Sequence, residues 1–270
     1  MPGSLYLVAT PIGNLEDITL RALRVLREAD LIACEDTRQT GKLLQHFGVD
    51  KPMVSYHEHN EAARTQELVA KLEGGADIAL VSDAGTPLVS DPGYRLVTAA
   101  IGAGIPVVPI PGASALLGAL SGAGLPTDAF RFCGFLPPKS GQRKKALEEL
   151  NSEDCTLVFY EAPHRILDAL SDVSAVYGER PVVVARELTK LHEEFLRGTA
   201  EEVRAQLSAR ASVKGEIVLL IGKGTPVVSD TPVEEAVREL EQKGMPRMDA
   251  IKQVARERGL SKREVYKQVT

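Results

Sequence analysis

Three short segments of the sequence combine proline, glycine and a small hydroxyl residue, which are the residue types that shape ligand-binding loops. They are Ala9–Asn14, Ser82–Gly93 and Ile110–Ala115. Glycine lets a ligand approach the backbone closely, and proline stiffens the loop. Three such loops at one edge of a sheet would form a crevice lined by free backbone N–H and C=O groups. The pattern therefore predicts a small-molecule site.

An acidic residue, Asp83, lies inside the second of these loops. A carboxylate at the mouth of a crevice suits a cationic amine or a ribose hydroxyl and is a poor phosphate binder. The residues alone are also compatible with tight turns in which Asp83 is only a cap. The sequence has no G-x-x-x-x-G-K-[ST] pattern and no G-x-G-x-x-G after its first strand, which argues against a P-loop or dinucleotide-binding fold.

Short apolar runs precede these loops and alternate with amphipathic stretches. The predicted strands are Leu5–Ala9, Leu31–Cys34, Met53–Tyr56, Ile78–Ser82 and Val107–Ile110. Helical spacing follows the first strand, at Leu20, Leu23, Leu26 and Ala29. This alternation predicts β-α-β units and a mainly parallel sheet. Ligands of such a sheet bind beyond the carboxyl ends of its strands, which is where the three loops fall.

A second series of elements begins after a segment dense in glycine, 118–124. Its predicted strands are Phe130–Phe135, Thr156–Tyr160, Val182–Arg186 and Ile217–Ile221, and its predicted helices are Arg143–Leu150, Arg165–Val176 and Ala200–Leu207. After Gly224 the sequence predicts three short helices, Val233–Lys243, Arg247–Arg258 and Lys262–Val269. We therefore predict an α/β fold with α/β domains at 1–120 and 121–226 and a helical extension at 227–270.

Composition narrows the class of protein. With 44% hydrophobic and 26% charged residues, the chain can form an ordinary globular core. The net charge of −5 and the 4% aromatic content argue against non-specific coating of nucleic acid and against an aromatic stacking platform. Three scattered cysteines, no secretion signal and no long apolar stretch predict a cytoplasmic protein.

Longer motifs extend the pattern of the three loops. Phe159–Arg165, Ala185–Lys190 and Glu35–Arg38 occur in order with them. Together these segments resemble the tetrapyrrole methylase family of S-adenosylmethionine-dependent enzymes. Within that family they are most similar to the branch that methylates the ribose 2′-hydroxyl of a cytidine in the decoding region of 16S ribosomal RNA. The resemblance runs almost continuously from residue 4 to residue 222.

The resemblance implies a homodimer of two-domain subunits with the cofactor in a cleft between the domains. Carried over to this chain, it implies that the residues next to S-adenosylmethionine are Pro11, Asp83, Ala84, Gly85, Thr86, Ser114, Ala115 and Tyr160. Ala185 and Lys214-Gly215-Glu216 are similar to segments that close the cleft from the second domain.

The implied reaction is an in-line displacement in which a ribose oxygen attacks the methyl carbon of a sulfonium. Positioning supplies most of the rate, and a base adds roughly 10²–10⁴-fold. The candidate bases are Glu35, Asp36, His57, Glu161, His164 and Glu187, and each is also compatible with a capping or ion-pairing role. No metal is expected, because the closely spaced pair His57 and His59 has no evident third ligand.

RNA needs cations for its phosphates. The run 139–145 supplies four, and the residues expected to contact RNA are Lys139, Arg143, Lys144, Arg38, Arg165 and Lys190. Two other functions stay open from sequence: a methylase acting on a small tetrapyrrole, and a non-catalytic RNA-binding factor of ribosome assembly. The first leaves the basic run unexplained, and the second predicts no affinity for the cofactor.

Overall fold

The first sheet is parallel throughout and supplies the frame for the three loops. The structure is a computed structural model that describes residues 1–223, 231–242, 244–258 and 260–269. The strands are β1 Leu5–Val8, β2 Leu31–Cys34, β3 Met53–Ser55, β4 Ile78–Val81 and β5 Val107–Ile110. Their order is β3-β2-β4-β1-β5, and every pair is parallel. The predicted strands and their orientation are confirmed.

Helices cover both faces of this sheet. They are α1 Leu20–Glu28, α2 Thr37–His46, α3 Glu61–Glu73 and α4 Tyr94–Gly102. Apolar side chains of α1 and α2 pack on one face, and those of α3 and α4 pack on the other. Strand β4 is therefore buried along its whole length, which explains why its sequence is a continuous apolar run.

The second sheet is mixed. Its strands are β6 Phe130–Phe135, β7 Thr156–Glu161, β8 Pro181–Arg186, β9 Glu194–Thr199 and β10 Ile217–Ile221, in the order β6-β7-β10-β8-β9. Only the β6–β7 pair is parallel; the other three pairs are antiparallel. Strand β9 was not predicted from the sequence. It forms a hairpin with β8 at the edge of the sheet.

The second sheet also carries helices on both faces. Helices α6 Ser140–Leu150, α7 Ile166–Tyr177 and α8 Ala200–Ser208 pack on one face. Helix α5 Ala115–Ala123 covers the other face, although it follows β5 of the first sheet directly. The boundary predicted between residues 120 and 121 falls inside this helix.

Three further helices form a core of their own near the carboxyl end. They are α9 Val233–Gln242, α10 Arg247–Glu257 and α11 Lys262–Gln268, packed around Val237, Ile251, Val254 and Val265. Ser261 begins α11 with a reciprocal capping box to Glu264. The predicted boundary at 226–227 and the residues Gly224, Lys243 and Gly259 lie outside the described residues. In the ranges that the structure describes, no helix is long and apolar enough to cross a membrane.

Candidate active site

The three proline- and glycine-rich loops meet at one edge of the first sheet. Strands β4, β1 and β5 are neighbours, so the loops that follow them emerge side by side. Thr10 and Gly85 exchange two backbone hydrogen bonds, of 2.9 and 3.0 Å, and so join the first loop to the second. The Thr86 hydroxyl donates to the Ala113 carbonyl at 3.2 Å and joins the second loop to the third. The predicted convergence is therefore present.

Close backbone approach explains two of the glycines in these loops. Gly85 has φ +80°, and a Cβ there would lie 3.2 Å from the Ile12 side chain. Gly112 lies against Ala9, where a Cβ would come within 2.9 Å of the alanine methyl group. A side chain at either position would push the loops apart, so both glycines serve the shape of the crevice.

A cavity of about 380 Å³ opens between these loops and the second sheet. Its volume is within the range of roughly 300–1,000 Å³ that is typical of small-molecule sites. The lining residues come from both halves of the chain: Ile12, 84–86, 89–91, Ser114, Ala115, Phe135, 160–163, Leu188 and 215–218. Small and apolar side chains make up most of the lining.

Most of the residues implied as cofactor neighbours surround this cavity. Those that line it are Ala84, Gly85, Thr86, Ser114, Ala115, Tyr160 and Gly215. Pro11, Asp83 and Lys214 each precede a lining residue without being one, and Ala185 is buried in the core of the second sheet. Ile12, Val89, Ser90 and Asp91 line the cavity but were not singled out, although they lie in or beside the chosen loops. Ala162, Pro163 and Leu188 lie in the motifs that carry the family resemblance but were not chosen as site residues, and Phe135, Ile217 and Val218 were predicted only as strand residues.

Carboxylates gather where the loops after β2 and β4 meet. The Asp36 amide donates to Asp83 Oδ1 at 3.0 Å, which holds the two loops together. Asp91 lines the cavity, and burial together with the nearby charges of Glu35 and Asp83 raises its pKa to about 6. Burial, followed by the charges of Asp83 and Glu58, likewise raises the pKa of Glu35.

Asp36 caps helix α2. Its carboxylate accepts from the backbone amide of Arg38 at 2.8 Å and from the Arg38 guanidinium at 2.7 Å. These hydrogen bonds lower the pKa of Asp36 to about 2. The Arg38 side chain is 86% exposed, so it remains accessible to a ligand such as phosphate although it is paired with Asp36.

Glu161 lines the cavity with both of its oxygens already engaged. Arg165 donates to Oε1 at 2.8 Å and to Oε2 at 3.0 Å, and the Ala162 amide also donates to Oε1. Arg165 donates further to the Leu136 carbonyl at 2.7 Å. Glu161 and Arg165, both predicted as functional residues, therefore form an ion pair with each other and fix the turn after β7.

Lys190 connects the two sides of the cleft. Its ammonium group contacts Glu187 at 2.8 Å and Glu216 at 3.0 Å, and its aliphatic stem packs against Gly13 of the first loop. The hydrogen bond from Lys190 lowers the pKa of Glu187. Glu187 thus holds a cation in place instead of facing the cavity.

The two candidate histidines lie apart from the cavity lining. His57 follows β3, where the Asn60 amide contacts its Nε2 at 3.2 Å, and its Nδ1 is buried without a partner among the described residues. His164 is exposed between β7 and α7. No group of three or more histidine, cysteine or acidic side chains in the described part of the chain could hold a metal ion.

Arg143 is in the interior of the second domain. It is 2% exposed, and its Nε donates to Asp172 at 2.7 Å while Ser140 donates to the other oxygen at 2.9 Å. This placement differs from the expected RNA contact, because a buried and paired guanidinium is not presented to a ligand outside. Lys139 and Lys145 are exposed, so the basic run retains two accessible cations, whereas Lys144 is half-buried and contacts Asp172 at 3.5 Å.

Comparison with known proteins agrees with this architecture. Residues 4–204 match the family model described as Tetrapyrrole (Corrin/Porphyrin) Methylases, and the chain belongs to this family. It is 52% identical to a protein of Halalkalibacterium halodurans named ribosomal RNA small subunit methyltransferase I, over 98% of this chain and 93% of that one. It is 49% identical to the protein of the same name from Escherichia coli O157:H7, over 98% and 94%.

Solved structures share the fold at low sequence identity. A conserved hypothetical protein of Aeropyrum pernix K1 aligns over 100% of this chain and 96% of its own, with a TM-score of 0.64 and 18% identity. Uroporphyrin-III C-methyltransferase of Thermus thermophilus, solved with S-adenosyl homocysteine, aligns over 82% and 97%, with a TM-score of 0.56 and 21% identity. The family is therefore one of methyltransferases with this two-sheet fold.

Proposed function

We propose that this protein transfers a methyl group from S-adenosylmethionine to the ribose 2′-hydroxyl of a cytidine in 16S ribosomal RNA. The observation that carries the proposal is the identity of about half of all residues, over nearly the full length, with relatives named ribosomal RNA small subunit methyltransferase I. A cytoplasmic location follows from this substrate.

The cleft has the chemistry that the cofactor needs. S-adenosylmethionine supplies an electrophilic methyl group on a positively charged sulfur. The cavity is lined by small and apolar residues and by three carboxylates, Asp91, Glu161 and Glu216. Glu161 and Glu216 are paired with Arg165 and Lys190, whereas Asp91 has no ion pair among the described residues, so the charge of the cavity suits a sulfonium and not a phosphate. The Thr86 and Ser114 loops on one side and residues 215–218, at the start of β10, on the other would hold the cofactor. Free backbone groups of these loops would bind its polar ends.

Positioning is the main contribution expected of the residues of the cleft. Hydrogen bonds join the three loops, and the Glu161–Arg165 pair fixes the turn after β7. The walls of the site therefore do not have to reorganise before the reaction. Apolar side chains such as Ile12 and Leu188 exclude water from the cavity. Such an arrangement favours in-line attack, because the reacting atoms are held in place before the reaction starts.

The accessible cations of the basic run are proposed to bind RNA phosphates. Reversing Lys139 and Lys145 to Glu is expected to weaken binding to small ribosomal subunits and to reduce its salt dependence, while affinity for S-adenosylhomocysteine stays the same. Reversal of Lys51 and Lys71 is the matched control. Lys51 precedes β3, and Lys71 lies at the end of α3 before β4. Both are therefore near the amino-terminal ends of the strands, opposite the edge where the three loops meet. Equal losses in the two double variants would contradict the proposed RNA contact.

We propose that the protein forms a dimer and that the interface includes a second, more open depression. The bend at 112–114 lines this depression. Its volume is about 640 Å³, and Leu117, 54% exposed, lines it. Exposed leucines flank it along the chain at 15, 20 and 191. An exposed apolar area of this kind is typical of a surface that another chain covers.

Methyl transfer to purified small subunits tests the function directly. Subunits from cells that lack the enzyme are incubated with the protein and labelled S-adenosylmethionine, and the nucleosides are then mapped by mass. We expect a single 2′-O-methylcytidine. A porphyrinoid is assayed in parallel. Methylation of the porphyrinoid alone, or no affinity for S-adenosylhomocysteine by calorimetry, would contradict the proposal.

A further inference from the structure

Two aromatic side chains of the described residues line the cavity, Tyr160 and Phe135. Tyr160 is half-buried, and burial raises the pKa of its phenol. Phe135 is 57% exposed, and its ring meets the Tyr160 ring at 67° with the centroids 5.8 Å apart. The Phe135 ring is therefore an aromatic surface that stays open at the edge of the cavity. Single exposed apolar side chains are common, but a specific feature of the backbone exposes this one.

A bulge in β6 turns Phe135 toward the cavity. Side chains alternate between the two faces of a strand, so an unbroken β6 would place Phe135 on the face of Cys133, which packs on the core under α6, α7 and α8. Between the pairs made by Phe132 and Phe135, however, β6 has one residue more than β7, and Phe135 pairs with Tyr160. Gly134, with a φ of +65°, lies in this bulge. The extra residue moves Phe135 to the face of Tyr160, as bulges commonly do where a side chain has to be re-aimed.

The residues that follow Phe135 are anchored on the opposite face. The Leu136 side chain is 2% exposed in the core of the second domain, and the Leu136 carbonyl accepts from Arg165 at 2.7 Å. The Arg143 guanidinium contacts the carbonyls of residues 137 and 138 at 3.5 and 3.4 Å. Phe135 is thus exposed although its segment is fixed. A ring held in this way loses little conformational freedom when a ligand stacks on it.

From this geometry we infer that Phe135 stacks on the base of the nucleotide that is methylated and so positions its ribose. The inference rests on the proposed function. Unpaired RNA bases are commonly bound by stacking on aromatic side chains. The 2′-hydroxyl is on the carbon next to the one that carries the base, so holding the base restricts where the hydroxyl lies relative to the methyl donor. A single base needs a single ring, so the 4% aromatic content does not oppose this role.

The charges near Phe135 fit a nucleotide. The exposed Lys139 follows the ring by four residues, and the exposed Lys145 lies further along the same basic run. A ring that takes the base and cations that take the phosphates are the usual combination for binding a single strand. Asp91, by contrast, lines the cavity without an ion pair among the described residues and suits the sulfonium. The cofactor therefore occupies the cavity, and the nucleotide enters over Phe135.

The first test compares Phe135→Ala with Phe130→Ala in the methylation of small subunits. Phe130 is the matched control, because it is 43% exposed at the other end of β6 and does not line the cavity. For Phe135→Ala we expect kcat/KM for small subunits to fall by about 5–150-fold, the effect of losing one stacked base. The Kd for S-adenosylhomocysteine, measured by calorimetry, is expected to stay within about twofold of the parent.

Two further substitutions separate stacking from apolar contact. Phe135→Tyr keeps an aromatic ring and is expected to retain most of the parent kcat/KM. Phe135→Leu keeps an apolar side chain without a ring and is expected to lose activity as Phe135→Ala does. Urea unfolding of all the variants checks that the fold is retained.

The absence of tryptophan from the chain allows a direct optical test. The Phe135→Trp variant has a single indole, at the edge of the cavity. Because a base that stacks on an indole quenches its fluorescence, we expect the emission to fall when small subunits are added in the presence of S-adenosylhomocysteine. Phe130→Trp corrects for absorption by the subunits and is expected to show no further quenching.

Several results would overturn the inference and leave the proposed function intact. They are a kcat/KM for Phe135→Ala within about twofold of the parent, full activity of Phe135→Leu, or equal quenching in the two tryptophan variants. A loss of S-adenosylhomocysteine affinity beyond about fivefold in Phe135→Ala would make Phe135 a cofactor contact and would also overturn it. If the parent itself methylates no ribosomal RNA, the proposed function fails and the inference falls with it.

Discussion

Single residues in the second domain show how a functional residue type can be used for structure. Arg143 belongs to a run of cations, yet its side chain is buried against Asp172 and does not reach the surface. A buried guanidinium is stable only where hydrogen bonds replace its lost water, and here the Pro137 and Pro138 carbonyls add to the contact with Asp172. The pair fixes the start of α6 against α7.

Replacing Arg143 with Met is expected to lower the free energy of unfolding by about 2–3 kcal/mol, because the buried carboxylate of Asp172 loses its close partner and keeps only the Ser140 hydroxyl and the Lys144 ammonium at 3.5 Å. Urea unfolding followed by circular dichroism measures the loss. Arg24→Met is the matched control on α1, since its ion pair with Glu28 is largely exposed, and it is expected to cost at most about 1 kcal/mol. Equal costs for the two variants would mean that the Arg143 pair contributes no more than a surface pair.

Gly85 permits a second prediction at the scale of the residue. Gly85→Ala is expected to raise the Kd for S-adenosylhomocysteine at least about tenfold, because a Cβ would press on Ile12 in the cavity wall. Gly104→Ala is the control: it also has a positive φ, of 69°, but a Cβ there meets nothing within 4 Å. Calorimetry on both variants separates backbone strain from damage to the site. Similar affinities in both would rule out the predicted role of Gly85.

The sequence shows these residues but not their surroundings. The three loops could be predicted because proline, glycine and a hydroxyl residue follow each strand. The environment of Asp91 could not, because it depends on Glu35, far away along the chain. The burial of Arg143 depends in the same way on Asp172, 29 residues further on.

At the scale of elements, the predicted domain boundary after residue 120 falls inside helix α5. The density of glycine at 118, 122 and 124 suggested that boundary, whereas only Gly124, in the left-handed conformation, ends the helix. Gly122 is needed inside it, since a Cβ would lie 2.5 Å from the Phe195 ring of β9. Gly122 is required because α5 packs closely on β9, and the sequence pattern alone does not show that contact.

Two alanine substitutions on α5 are expected to have opposite effects. Gly118→Ala is expected to raise the free energy of unfolding by up to about 1 kcal/mol, because alanine favours the helix and its Cβ meets Leu188 at an ordinary 3.9 Å. Gly122→Ala is expected to lower it by about 1–3 kcal/mol through overpacking against Phe195. Urea unfolding of both compares them directly. Stabilisation by both would show that Phe195 moves aside freely.

For the whole molecule, the alternation of strands and helices predicted the parallel pairing of the first sheet correctly. It did not predict strand β9 or the mixed pairing of the second sheet. The first five strands each lead into a helix, which dictates parallel pairing. In the second series β9 follows β8 after a short connection, so the pair is antiparallel. Strand β9 contains Arg197 and Gly198, and this composition is a weak strand signal at an edge.

The proposed dimer can be tested at this scale. Leu117→Glu is expected to convert the dimer to a monomer in sedimentation velocity, because a charge would be buried in an apolar surface. Ile101→Glu is the control: Ile101 is 62% exposed on α4, outside the residues that line the depression. A dimer that survives Leu117→Glu, or one that Ile101→Glu also disrupts, would contradict the proposed surface.

The position of α5 has a consequence for how this chain could be split into complementing pieces. A cut after the helix would take Ala119 and Leu120 away from the strands they cover, and leave Val183 and Val218 bare. A cut before the helix would sever the bend at 111–114, which forms one wall of the cleft. The first cut would thus deprive the second sheet of its helical cover, and the second would interrupt a wall of the cleft. Although the two sheets are separate, α5 connects them, because it follows a strand of the first sheet and packs on the second.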